Sequence, residues 1–283
     1  MSGTLYIIAT PIGNLEDITL RALRLLKEVD LIACEDTRHT RKLLTHHQIQ
    51  KPTISYHEHN ERERSEELIR KLESGLDVAL VSDAGTPLIS DPGFRVVKNA
   101  IDAGIQVVPV PGASAILTAI SASGLPIDEF AFLGFLPSRS AARKAKLKEL
   151  AGIKSTLVFY EAPHRIKAVI EDARDVLGNR ICVVARELTK LHEEFIRGPL
   201  SAIEIPQDSA RGEFVLLIGP PAEGEQAPTE QLELTSITKE IDRLISAEGI
   251  DQKAALKRIA RDRGVSKSEV YRLMLSELAR SKK

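Results

Sequence analysis

The stretch Val78-Ala-Leu-Val-Ser-Asp-Ala-Gly-Thr-Pro-Leu-Ile-Ser-Asp-Pro-Gly93 decides how the chain is read. Four apolar residues in a row predict a buried strand, and the polar run behind them predicts a shaped loop. Two glycines, two prolines and two aspartates fix that loop and let a ligand come close to its backbone. Asp91 is also placed to cap the next helix, which accounts for the end of the loop but not its beginning.

Working outward, apolar runs at 5–9, 31–34, 53–56, 78–81 and 106–110 predict strands. Helical spacing fills 19–28, 37–47, 62–73 and 93–103. Such alternation predicts a mostly parallel sheet covered on both faces. Ligands in these sheets sit beyond the carboxyl ends of the strands. A second α/β unit is expected from Gly124-Leu-Pro126 onward. Its strands fall at 130–136, 156–160, 181–186, 194–197 and 214–218, and its helices at 140–150 and 163–177, with Pro163 as a first helical residue. The last strands have little helix between them, so this sheet is expected to be mixed. The domains predicted are 1–123 and 124–219, a linker at 220–233, and a helical tail at 234–283.

The 283 residues carry a formal net charge of −1, which excludes nothing by itself. Its distribution says more. Residues 250–283 hold ten Lys or Arg against four Asp or Glu, and 137–148 hold five basic residues and no acid. Local excesses of this kind suit a polyanion, or simply solvated helix faces. In the tail, Ala255, Ile259 and Ala260 share a face, and Gly264 suits a helix end. Ser266 with Glu269 makes a capping box, giving a helix-turn-helix pattern with its basic residues off the apolar stripe.

Cys34 and Cys182 each lie in an apolar run and read as buried thiols. With no membrane-length apolar segment and no signal-like start, a cytoplasmic protein is expected. Neither G-x-G-x-x-G after the first strand nor G-x-x-x-x-G-K-[ST] occurs, which disfavours dinucleotide and triphosphate ligands. His57 and His59 alternate as a strand would present them, but no third ligand stands near them in sequence, and no metal is expected.

Other polar groups gather just after strands. They are Thr10-Pro-Ile-Gly-Asn-Leu15, Glu35-Asp-Thr-Arg38, Pro111-Gly-Ala-Ser-Ala115, Tyr160-Glu-Ala-Pro-His-Arg165 and Arg186-Glu-Leu-Thr-Lys190. Each alone is explained by capping. Together, at one sheet edge, they predict a site.

With Ser82–Gly93, with Tyr56-His-Glu-His-Asn60, Phe132-Leu-Gly-Phe-Leu-Pro137 and Gly212-Glu-Phe214, these motifs resemble the tetrapyrrole methylases. Within that superfamily they are most similar to a subgroup that methylates RNA. Gly85-Thr-Pro87 replaces the superfamily's usual Gly-Asp-Pro, as that subgroup does. The resemblance implies a two-domain methylase fold holding S-adenosylmethionine in its cleft, and a homodimer. It implies 2′-O-methylation of a cytidine in the decoding region of 16S ribosomal RNA, in the small ribosomal subunit. By the same resemblance Pro11, Ala84, Gly85, Thr86, Pro87, Ile89, Ser114 and Ala115 would line the cofactor from one domain. Tyr160, Leu188, Gly212 and Glu213 would do so from the other.

A hydroxyl needs a base to become a useful nucleophile, and position at the cleft edge nominates Asp36 or Glu161. Arg38, His164 and Arg165 would then hold phosphate or ribose, while Lys257, Arg258, Arg261 and Lys267 of the tail would dock RNA through its phosphates. Two alternatives compete. One is C-methylation of a porphyrin or corrin precursor, for which a basic tail has no use. The other is a DNA-binding regulator with a ligand-sensing α/β part.

Overall fold

A computed structural model describes residues 2–205, 212–222, 237–262, 267, 270–272 and 274. The chain divides into a unit at 1–224 and a smaller one at 225–283.

The larger unit opens with strands β1 (Thr4–Ile8), β2 (Leu31–Cys34), β3 (Thr53–Ser55), β4 (Val78–Val81) and β5 (Gln106–Val110). They form one parallel sheet in the order β3-β2-β4-β1-β5. Helices α1 (Leu20–Glu28), α2 (Thr37–His46), α3 (Glu61–Glu73) and α4 (Phe94–Asp102) cross between the strands. Side chains alternate along each strand, so the sheet feeds two cores. Ile8, Ile32, Cys34 and Val81 pack with Leu25 and Leu26 of α1 and Leu44 of α2. Leu5, Ala33, Val78 and Leu80 pack on the other face with Leu68 and Leu72 of α3 and Val96 of α4. Both faces are therefore covered, as a parallel sheet requires.

A short helix, α5 (Ala115–Ser121), follows β5 and was not legible in the sequence pattern. Its Ile116, Ala119 and Ile120 pack on Val158, Val183, Val215 and Leu217 of the second sheet, so it joins the two lobes. That sheet consists of β6 (Phe130–Phe135), β7 (Thr156–Glu161), β8 (Ile181–Arg186), β9 (Glu194–Pro199) and β10 (Phe214–Ile218), in the order β6-β7-β10-β8-β9. Only β6 and β7 are parallel; the other pairings are antiparallel, so the sheet is mixed as expected. Helices α6 (Ser140–Leu150) and α7 (Ile166–Leu177) cover its outer face, burying Leu147, Val169 and Ala173 against Leu157, Phe159 and Phe214. Truncating a ring as enclosed as Phe159 costs about 3–5 kcal/mol in such cores. Pro163 precedes α7 rather than opening it, because the chain still turns through Ala162–Arg165 and only becomes helical at Ile166.

Cys34 and Cys182 are free and buried, and burial pushes the Cys182 thiol up to about 12. His57 and His59 lie in a turn beyond β3 instead of on a strand, and Asn60 accepts the His57 backbone N–H at 2.9 Å.

In the smaller unit, α8 (Ile237–Glu248) precedes α9 (Gln252–Asp262), and Ile241, Ala255, Leu256, Ile259, Val270 and Met274 share one core. Gly264 and the Ser266–Glu269 capping box fall outside the described residues.

Candidate active site

The carboxyl ends of β1 and β4 lie side by side, and their loops lock together. Thr10 N–H donates to Gly85 O at 2.8 Å, Gly85 N–H donates to Thr10 O at 3.0 Å, and the Thr10 hydroxyl reaches Ser82 O at 3.1 Å. The Thr86 hydroxyl ties the same loop to Ala113 O beyond β5 at 3.3 Å. Between Gly85 and Gly93 the backbone is left-handed at Gly85, Leu88, Ser90 and Gly93. Glycine adopts that conformation freely, whereas Leu88 and Ser90 each store about 1–3 kcal/mol of strain. The result is a wall of consecutive residues, Ile89, Ser90 and Asp91, facing the second lobe across a cavity of about 260 Å³.

Glu35 from the end of β2, Asp83 to Thr86 from the β4 loop, and Ser114 and Ala115 at the start of α5 complete that lobe's side. Phe135, Tyr160 and Glu213 close it from the second lobe. A second cavity of about 280 Å³ adjoins it, sharing Ile12, Ala84, Ala115, Tyr160 and Glu213 as walls. Leu188, Gly212, Val215, Glu187 and Lys190 line its far side. Here too the backbone is strained, with Glu187 and Thr189 left-handed. Gly13 packs against this loop so tightly that an added Cβ would sit 2.9 Å from Leu188 O and 2.7 Å from Lys190 Cγ. The loops after β1 and β8 thus touch closely at Gly13.

The first cavity is acidic. Glu35, Asp83, Asp91 and Glu213 line it, and no Lys or Arg does so among the described residues. Burial, then the charges of Asp83 and Glu58, raise the Glu35 carboxyl above its ordinary range. Burial and then Glu35, with smaller pushes from Glu213 and Asp83, bring Asp91 up to about 6. Burial, with Glu213 and Asp91, pushes the Tyr160 phenol up to about 12. Such a wall favours a cationic ligand.

Ten of the twelve residues expected to meet the cofactor line one or other cavity: Ala84, Gly85, Thr86, Ile89, Ser114, Ala115, Tyr160, Leu188, Gly212 and Glu213. Pro11 instead lines a small neighbouring cavity with Leu15 and His39, and Pro87 lines none of these. The polar groups nominated for chemistry need correction. Asp36 caps α2 by accepting Arg38 N–H at 2.8 Å and grips the Arg38 guanidinium at 2.7 Å. Those hydrogen bonds hold its carboxyl well below the usual range, so it is a poor base. Glu161 is excluded by strand alternation. Val158 and Tyr160 face the cleft, whereas Leu157, Phe159 and Glu161 face the helices behind. There Glu161 accepts Ala162 N–H at 2.8 Å and pairs with Arg165 at 3.1 Å. Arg165 is committed as well, donating to Leu136 O and Pro137 O, so it does not wait for a phosphate.

Arg38 and His164 are exposed and lie off the cavity walls. The basic run at 137–148 is largely neutralised. Arg143 is buried against Asp172 at 2.6 Å, Lys144 binds Asp175 at 2.8 Å, and Lys146 binds Glu149 at 2.8 Å. In the tail, Lys257, Arg258 and Lys267 are exposed, and Arg261 lies within α9. Lining residues of the first cavity that stand in or beside those motifs but were given no individual role are Ile12, Glu35, Asp83, Ser90, Asp91 and Phe135. Their common signal is position one to ten residues past a strand's carboxyl end, or on the edge strand β6.

Residues 4–204 match the family model described as Tetrapyrrole (Corrin/Porphyrin) Methylases. A protein named ribosomal RNA small subunit methyltransferase I from Halalkalibacterium halodurans is 48% identical, covering 97% of this chain and 96% of its own length. The protein of that name from Pseudomonas aeruginosa is 46% identical over 99% of both chains. Among solved structures, a diphthine synthase superposes with a TM-score of 0.60 at 16% identity, over 77% of this chain and 90% of its own. A uroporphyrin-III C-methyl transferase from Thermus thermophilus complexed with S-adenyl homocysteine gives 0.53 at 22% identity, over 77% and 97%. The parallel five-stranded lobe, the mixed five-stranded lobe and the cleft between them are those of the tetrapyrrole methylase family, and the chain belongs to it, alongside the ribosomal RNA small subunit methyltransferase I proteins.

Proposed function

We propose that the chain is an S-adenosylmethionine-dependent methyltransferase acting on the small ribosomal subunit, at the ribose 2′-oxygen of a cytidine in the decoding region of 16S RNA. One observation carries the reading: an acid-lined cleft between the lobes, walled by the Ala84–Thr86 turn and by Leu188, Gly212 and Glu213. Its relatives, close to half identical over nearly their whole length, are named as enzymes of small-subunit RNA.

The two cavities suit the two ends of the donor. Ile12, Ala115, Leu188 and Val215 give the second cavity an apolar, backbone-rich lining fit for an adenosyl group. The carboxylates of the first complement the positive sulfonium and ammonium groups. When bound, the donor supplies an electrophilic methyl group. The residues of this chain orient it toward the acceptor, exclude water, and accept a proton. Bringing two reactants into line in this way is a large part of the rate.

Exposed Lys257, Arg258 and Lys267 support phosphate contacts from the tail. A homodimer is part of the reading.

The test is transfer of tritium from labelled S-adenosylmethionine to small subunits lacking the modification, with uroporphyrinogen as a parallel acceptor. Label on a single ribose of 16S RNA is expected. Label on the porphyrin precursor alone would overturn the reading.

A further inference from the structure

We propose that Asp91 is the proton acceptor for the reacting hydroxyl, an assignment that rests on the methyl-transfer reading above. The sequence makes Asp91 the natural cap of α4, and the structure gives that task to another residue. Gly93 occupies the cap position without a side-chain cap. The carboxylate of Glu61, reaching across from α3, accepts the N–H groups of Gly93 at 3.2 Å and Arg95 at 3.3 Å. Glu61 is held for this by the Tyr56 hydroxyl, which donates to it at 3.0 Å. Asp91 is thereby released from the helix, and the left-handed turns at Leu88 and Ser90 bring it onto the cavity wall.

The neighbouring groups are less suited. Asp83 accepts the Asp36 backbone N–H at 3.0 Å and so fixes the loop after β2. Tyr160, up near 12, stays a phenol at neutral pH. Glu35 and Glu213 flank the cavity from β2 and from the start of β10, and with Asp83 they surround Asp91 with negative charge. A carboxyl near 6 is still ionised at pH 7, yet it holds a proton about a hundredfold more tightly than an ordinary aspartate. A base works best when its proton affinity lies close to the working pH.

The step balances. The hydroxyl proton passes to an Asp91 carboxylate oxygen, and the freed electron pair forms the O–CH3 bond. The C–S bond breaks with its pair kept by sulfur, leaving a neutral thioether. Asp91 then returns its proton to water. Hydroxyl and sulfonium become methyl ether, thioether and one proton.

The full chain and its Asp91→Asn and Asp91→Glu variants are compared in single-turnover transfer to unmodified small subunits between pH 5 and 8. S-adenosylhomocysteine affinity is measured by calorimetry on the same preparations. Asp91→Asn is expected to slow transfer by about 100-fold or more while product affinity, which keeps one positive group to lose, falls by about tenfold at most, and Asp91→Glu to recover part of the rate. The wild-type rate should climb with pH to a plateau with its midpoint near 6. Transfer by Asp91→Asn within about threefold of wild type would overturn the assignment. So would a wild-type rate flat across that range, or a loss of product affinity equal to the loss of rate. Wild-type transfer is the separate check: its absence removes the methyl-transfer reading and this assignment together, whereas active wild type beside an active Asp91→Asn removes only the assignment.

Discussion

The molecule gathers carboxylates in two places and partners them differently. Behind the second sheet, Glu161 and Asp172 sit among Arg143, Arg165 and Lys144, each paired. In the cleft, Glu35, Asp83, Asp91 and Glu213 gather without one basic side chain among the lining residues described. The consequences diverge. Burial still raises Glu161 despite its pairing, but at Asp172 hydrogen bonds from Ser140, Arg143 and Lys144 outweigh burial and hold that carboxyl low. Asp91, with like charges for neighbours, is raised. A balanced cluster holds helices in place, while an unbalanced one complements a cation. The motif Tyr160-Glu-Ala-Pro-His-Arg165 straddles both, since Tyr160 faces the cleft and Glu161 with Arg165 serves the scaffold.

That contrast can be broken most forcefully at Arg143. Replacing it with alanine leaves Asp172 buried without its main partner, and a loss of about 3–5 kcal/mol is expected in urea unfolding. Because Asp172 lies below its ordinary 3.8 when folded, its contribution is complete above about pH 4 and fades as pH falls further. Arg143→Ala should therefore flatten the acid limb of the stability profile. An unchanged urea midpoint would show the cluster to be ornamental to stability.

A smaller effect is expected where the lobes touch. Gly13→Val would push its loop off Leu188 O and Lys190, widening the cleft. Affinity for S-adenosylhomocysteine should fall about tenfold, near 1.4 kcal/mol, without a matching fall in unfolding temperature. Equal affinity in calorimetry would mean that the contact does not set the cleft. The smallest effect belongs to Glu161→Gln. Facing away from the cavity, it should leave transfer per folded molecule within about threefold of wild type. A hundredfold loss would put Glu161 back in the chemistry.

Much of this architecture was legible. Alternating apolar runs gave both sheets, and strand ends gave the loops that wall the cleft, because those signals are local in sequence. What stayed hidden depends on partners far along the chain. The run at 137–148 looks basic until Asp172 and Asp175 arrive from α7. Asp91 looks like a cap until Glu61 takes the role from thirty-odd residues upstream. Helix α5 is too short and too rich in apolar residues to show a period, yet it joins the lobes. Glu161 reads as a cleft residue until the register of β7 fixes which face it shares with Phe159.

The carboxylates of the cleft, without a basic partner among the described lining residues, are assigned here to recognition of a positive donor. Calorimetric titration of S-adenosylmethionine and S-adenosylhomocysteine into the wild-type chain and the Glu35→Gln/Glu213→Gln double variant tests it most directly. One ligand per chain is expected, with the double variant weakening the sulfonium-bearing donor more than its neutral-sulfur product. No uptake of either ligand by wild type, or the same loss for both in the variant, would contradict it.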